Sequence, residues 1–308
     1  MLFLPDWSPE PPLHSLDLDW LTRAGVEVAA LRLDLIDAQI SGNKWYKLKP
    51  HLQNAAAAGR AGVMTLGGAH SNHLHAVAAA GARFGFPTVG LLRGEPCDTP
   101  TVRDLQMFGM RLHWLGYGGY RARLQDDFWI SWRECYPDLH PVPEGGGGLA
   151  GAHGCMELVE QARWQLPPLG WADYHGWWLA AGTGTTLAGL VLAESGQRPV
   201  HGALAVPDDH GVSRRLEALG LSPHAYRLHS ASRRGFARLD DELLHFLHDT
   251  ERACGLPLEP LYTAKALLAL RQQVDAGKVP VGTRLIFVHT GGLQGRRAAM
   301  AFGRNPLS

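Results

Sequence analysis

The chain has only four cysteines in 308 residues (Cys97, Cys135, Cys155 and Cys254), with no C-x-x-C pairing among them. Such spacing argues against a disulfide framework and a cysteine-based zinc site, and fits reduced thiols in the cytoplasm. Net charge is lacking too: 29 Lys plus Arg balance 29 Asp plus Glu, so no overall field draws in nucleic acid or an anionic membrane. No apolar run reaches 18 residues, since the best candidate, 179–193, is interrupted by Gly and Thr. A membrane span is therefore not expected. The opening MLFLPDWSPEPP has neither a basic start nor a long apolar stretch, so no secretory signal is expected either. What remains is a length that predicts roughly two domains and a 45% hydrophobic content sufficient for a sizeable core.

Short apolar runs alternate with stretches of helical periodicity. Strands are predicted over 62–66, 87–92, 110–115, 177–181, 200–206, 225–229 and 284–289. Helices are predicted over 71–84, 101–108, 120–136, 186–195, 213–219, 240–253 and 263–276. The alternation predicts an α/β fold of open parallel sheets. Repeats of solenoid period and low-complexity linkers are missing. The run LHPVPEGGGG, ending in four glycines at 145–148, marks the expected hinge between a first lobe and a second.

Polar clusters follow the strands in a regular way. GGAHSNH (67–73) follows the 62–66 run, GTGTT (182–186) follows WWLAA, SASRRGF (230–236) follows AYRLH, and TGG (290–292) follows FVH. All four sit at carboxyl ends of predicted strands, where open parallel sheets bind their ligands. GTGTT offers backbone N–H groups and hydroxyls at a helix N-terminus, the chemistry of a phosphate cradle. It is neither a dinucleotide fingerprint, because Leu187 stands where a third glycine belongs, nor a P-loop, because no Gly-Lys-Ser/Thr follows.

In SGNKWYKL, Gly42 and Asn43 read as a turn with Asn43 as helix cap, which puts Lys44 in the first helical position. A cation there opposes the helix dipole, so the field lowers its pKa, as desolvation would. A neutral amine is the form that attacks a carbonyl. Lys47 and Lys49 read as surface lysines. His70, His73 and His75 match no zinc spacing, and the surroundings of Ser195 lack the glycines of a hydrolase elbow.

Seven motifs occur in a recognisable order: SGNKWYKL, GGAHSNH, RGE (93–95), PEGG (143–146), GTGTTLAGL, LYTAK (261–265) and HTGG (289–292). Together they resemble the 1-aminocyclopropane-1-carboxylate deaminase/D-cysteine desulfhydrase family of pyridoxal 5'-phosphate (PLP) enzymes, fold type II. The resemblance runs from about residue 35 almost to the C-terminus. It implies two open parallel-sheet domains with the PLP site in the cleft between them. The larger would comprise 1–50 and 156–308, the smaller 51–155. Lys44 would be the Schiff-base lysine, and Asn72 would bond the cofactor's 3′-oxygen. Ser71 and His73 would help hold the substrate carboxylate. Gly182, Thr183, Gly184, Thr185 and Thr186 would bind the phosphate, Thr290 would face the ring nitrogen, and Tyr262 would stand beside the substrate. The expected activity is that of a lyase or deaminase on a small amino acid, releasing ammonia and a 2-oxo acid, in a homodimer.

Several positions depart from the family pattern. Thr263 stands where the deaminases have glutamate and His73 where they have glutamine, both moving the chain towards the desulfhydrases. Phe236 replaces a second active-site tyrosine, and Tyr46 replaces an arginine. A D-cysteine-like substrate is therefore favoured. The alternatives are 1-aminocyclopropane-1-carboxylate deamination, racemisation or β-replacement on the same scaffold, or PLP binding without catalysis.

Overall fold

Both faces of the central strands are apolar because both are covered. In the segment Gly176–Ala181, Trp177, Leu179 and Ala181 enter one core, while Trp178 and Ala180 enter another. The segment Arg284–His289 divides likewise, Ile286 and Val288 against Leu285 and Phe287. Side chains alternate across a strand, so a strand buried on both faces reads as a continuous apolar run.

The computed structural model describes residues 1–4, 6–207, 210–233, 235 and 238–302. Among the described residues, ten strands form two sheets: β1 Leu13–Ser15, β2 Glu27–Arg32, β3 Gly62–Gly67, β4 Thr88–Leu92, β5 Arg111–Trp114, β6 Leu139–Pro141, β7 Gly176–Ala181, β8 Val200–Leu204, β9 Tyr226–Ser230 and β10 Arg284–His289. One sheet has the order β1-β2-β10-β7-β8-β9, the other β5-β4-β3-β6. Every pairing is parallel except the β1–β2 edge, where Leu13 lies opposite Leu31 in antiparallel register.

The helices are α1 Asp19–Ala24, α2 Asn43–Ala57, α3 Asn72–Phe84, α4 Pro100–Met107, α5 Gly116–Arg121, α6 Phe128–Cys135, α7 Gly148–Cys155, α8 Glu157–Arg163, α9 Thr185–Glu194, α10 Val212–Ala218, α11 Asp241–Cys254, α12 Thr263–Asp275 and α13 Leu293–Phe302. On the six-stranded sheet α7 to α10 pack one face, and α1, α11 and α12 the other. On the four-stranded sheet α2, α3 and α4 cover one face, α5 and α6 the other. Among the described residues, no helix is long and apolar enough to cross a membrane.

The α/β architecture with parallel sheets holds, with an antiparallel edge that the sequence reading did not include. The helix expected over 120–136 is divided instead: α5 ends at Arg121 and α6 starts at Phe128, with a short 3-10 turn, Ala122–Leu124, between them. Polar Gln125, Asp126 and Asp127 offer no apolar stripe to carry one helix across that gap. The glycine run brings the chain from β6 into α7, with Gly145, Gly146 and Gly148 all at positive φ.

Candidate active site

The first question is how Lys44 is placed. Asn43 is not the cap of α2 but its first residue; the cap is Gly42, at φ 79° and ψ −165°. A Cβ on Gly42 would lie 2.2 Å from the Thr290 carbonyl oxygen, so no other residue fits this crossing. The Asn43 N–H donates to that same carbonyl at 3.1 Å. The start of α2 is thereby fastened to the turn after β10, and Lys44 is fixed relative to Thr290.

The Asn43 side chain is 5% exposed and acts as a bridge. Its Nδ2 donates to Thr186 Oγ1 at 2.8 Å, and its Oδ1 accepts from Lys44 Nζ at 2.8 Å. Capping would have spent this amide on its own helix; here it ties the lysine to the N-terminus of α9. Desolvation is the main force lowering the Lys44 pKa well below the ordinary amine value, with the Lys47 charge adding to it.

The loop from β7 to α9 brings GTGTT to a helix N-terminus. Gly184 caps α9 at φ 83°, Thr185 and Thr186 are buried, and Thr183 Oγ1 lies 3.0 Å from Thr185 Oγ1. The first N–H groups of α9 have no partners inside their helix and carry the positive end of its dipole. Arg215 Nε donates to the Thr183 carbonyl at 3.2 Å.

Tyr262 closes one side, its ring against Gly182, 3.0 Å from where a Cβ would stand. Its N–H donates to Glu259 Oε2 at 2.7 Å, and the Leu261 N–H donates to Oε1 at 2.8 Å. Burial pushes the Tyr262 hydroxyl up, so it remains a proton donor at neutral pH.

The loop GGAHSNH follows β3 of the other sheet and reaches the segment after β10. Ser71 caps α3, its Oγ accepting from the Leu74 N–H at 3.2 Å. Asn72, next in line, has its Oδ1 bonded by Gln294 Nε2 of α13 at 3.1 Å. Lys44, Ser71, Asn72, Gly182, Thr183 and Tyr262 all keep part of their surface open. Through Asn72 the loop after β3 of one sheet meets the segment after β10 of the other.

His73 points elsewhere. It is 2% exposed, with Nε2 placed 2.8 Å from Thr65 Oγ1. The Thr65 hydroxyl donates to the Val142 carbonyl, so it accepts from His73, which fixes the Nε2–H tautomer. Nδ1 is then a buried lone pair with no partner. Desolvation and the nearby Lys44 hold the ring neutral. An acceptor of this kind repels a carboxylate, so the side chain is a poor match for the anion-holding role expected of it; only the N–H groups of its helix turn suit that role.

Lys47 corrects the sequence reading outright. It is 4% exposed, its charge disfavoured by burial, and no carboxylate of the described residues pairs with it. Lys49 does lie at the surface, 2.9 Å from Glu157. The signal was available: Lys44 and Lys47, three residues apart, share one helical face. Glu259, 1% exposed and pushed up to about 7 by burial, was also missed. Its only signal was an acidic residue in the otherwise uncharged LPLEPLY. Tyr46 is a core residue, its hydroxyl donating towards the Pro9 carbonyl at 3.1 Å and Gln161 Oε1 at 3.2 Å. Phe236 lies outside the described residues.

No family model matches the chain. It is similar to a protein of Arabidopsis thaliana named bifunctional D-cysteine desulfhydrase/1-aminocyclopropane-1-carboxylate deaminase, mitochondrial (27% identity, covering 92% of this chain and 76% of that protein). A putative 1-aminocyclopropane-1-carboxylate deaminase of Pyrococcus horikoshii is 27% identical, with 88% of this chain and 86% of the other covered. Among solved structures, one described as an ACC deaminase homologue superposes with a TM-score of 0.78 at 23% identity, covering 97% and 95% of the two chains.

Proposed function

We propose, on the premise that the chain is a PLP enzyme of fold type II in the 1-aminocyclopropane-1-carboxylate deaminase/D-cysteine desulfhydrase family, that it releases ammonia and a 2-oxo acid from a small, D-cysteine-like amino acid. The observation that carries the reading is Lys44, a desolvated amine tied through Asn43 to a helix N-terminal cradle.

The residues fit the cofactor. Lys47 is a buried amine with no acid of the described residues beside it, and the α9 turn has unspent N–H groups; both call for an anion such as a phosphate. In this reading Gly182, Thr183, Gly184, Thr185 and Thr186 hold the phosphate, Asn72 bonds the 3′-oxygen and Lys44 carries the cofactor. PLP, once bound, supplies an electron sink for charge developing at the substrate's α-carbon.

The rest falls to the chain's own groups. Lys44 Nζ, neutral when desolvated, takes and returns the proton at that carbon. Ser71 and the first N–H groups of α3 hold the substrate carboxylate at a helix N-terminus. Tyr262 presents a protonated phenol to the leaving side. Thr290 would offer the ring nitrogen a hydroxyl rather than a carboxylate, which would leave that nitrogen largely unprotonated and suit elimination or deamination over transamination.

The reading extends to the lobes 1–50 with 156–308 and 51–155 as the two domains, and to a cytoplasmic homodimer. All four cysteines are free thiols, in keeping with a reducing compartment. Ammonia release screened across D- and L-amino acids and 1-aminocyclopropane-1-carboxylate tests the activity. Release from D-cysteine above the others supports it; no release from any amino acid refutes it.

A further inference from the structure

Asn72 is surrounded by a short piece of the other lobe. A Cβ on Gly292 would stand 2.8 Å from Asn72 Nδ2, and one on Gly295 3.0 Å from its Oδ1. Between these glycines Gln294 reaches across with its Nε2 donating to Asn72 Oδ1 at 3.1 Å. The segment G-G-L-Q-G thus leaves room for one amide on both sides and supplies one partner for it.

We propose that Gln294 is a positioning residue that sets which end of the Asn72 amide faces the ligand. A primary amide has an acceptor oxygen at one end and two N–H donors at the other. With the oxygen occupied by Gln294, the NH2 end is left for the ligand, which must therefore present an acceptor. A deprotonated oxygen on an aromatic ring is such a group. Reversing the amide would set two oxygens against each other and repel it. Because α3 packs on the four-stranded sheet while Gln294 follows β10 of the six-stranded one, this donor is oriented only when the two lobes meet. The Arg297–Asp104 pair holds α13 to α4 just beyond it.

The inference rests on the PLP reading above, and PLP affinity measured by equilibrium dialysis tests it without turnover. Gln294→Leu removes the donor. Gln294→Glu keeps the size but can only accept, which turns the Asn72 amide around. Each is expected to weaken PLP about tenfold or more, the scale of one charge-assisted hydrogen bond. In Asn72→Ala, adding Gln294→Leu is expected to change nothing further, because Gln294 acts through that amide. Unchanged affinity in Gln294→Glu, or additive losses in the double variant, overturns the proposal. A wild-type protein that takes up no PLP overturns the underlying reading itself, a separate outcome.

Discussion

Replacing Thr185 by valine removes one buried hydroxyl and almost no volume. In the protein alone that hydroxyl has a partner in Thr183, 3.0 Å away, so the fold should lose only about 1 kcal/mol. Towards a phosphate dianion the same hydroxyl is worth about 1.5–3 kcal/mol, which weakens PLP binding roughly 10- to 150-fold. Thr186→Val should behave differently. Its hydroxyl accepts from Asn43 Nδ2 at 2.8 Å, so the substitution orphans a buried amide and loosens the Lys44 tether. A stability loss of about 1–3 kcal/mol should accompany the weaker binding. Trp177 and Trp178 lie on β7, which leads into the cradle, and their fluorescence gives the binding curve. Thermal melting gives the stability. If PLP affinity is unchanged in the double variant, the loop is only a strand–helix turn and the phosphate assignment is wrong.

By the resemblance, Phe236 would stand where those enzymes have a second active-site tyrosine; on that reading wild-type protein should turn over 1-aminocyclopropane-1-carboxylate poorly and D-cysteine modestly, with kcat/KM for D-cysteine rising in Phe236→Tyr. Efficient opening of the cyclopropane ring by the wild type would show that the second phenol is dispensable. Glu259 offers a pH test: burial pushes its carboxyl from 4.5 up to about 7, so between those values the folded chain holds a proton that the unfolded chain has lost. Its contribution to stability therefore falls as pH rises from about 4.5 to 7, by on the order of 3 kcal/mol. Melting curves of Glu259→Gln should show that slope flattened; an identical slope in both proteins would mean that Glu259 does not titrate there.

The strands that place the site were legible because each is buried on both faces, leaving an apolar run that ends in glycine or hydroxyl residues. β3, β7 and β10 could be read that way, whereas β9, Tyr226–Ser230, is an edge strand in which Tyr226 alone is buried. β1 and β6 span three residues each, too few for any period to register, and α7, Gly148–Cys155, hides its helix behind glycines. The position of Lys44 in the first turn was also legible, but Asn43 was not: an Asn after Gly reads as a cap until Thr186, 143 residues away, turns out to accept its amide. For Lys47 the helical face shared with Lys44 was a local signal, but the group that buries it is distant in sequence: the 3-10 turn Glu144–Gly146, where a Cβ on Gly146 would touch Lys47 Cβ at 2.9 Å.

The central claim is that Lys44, and no other amine, carries the cofactor. Lys47 lies one turn further along α2 and is buried too, which makes the choice between them a sharp one. PLP-loaded protein reduced with borohydride and digested should carry the fixed chromophore on Lys44, and Lys44→Ala should take up none covalently. A label on Lys47 or any other lysine, or a colourless protein that binds no PLP, would contradict the account.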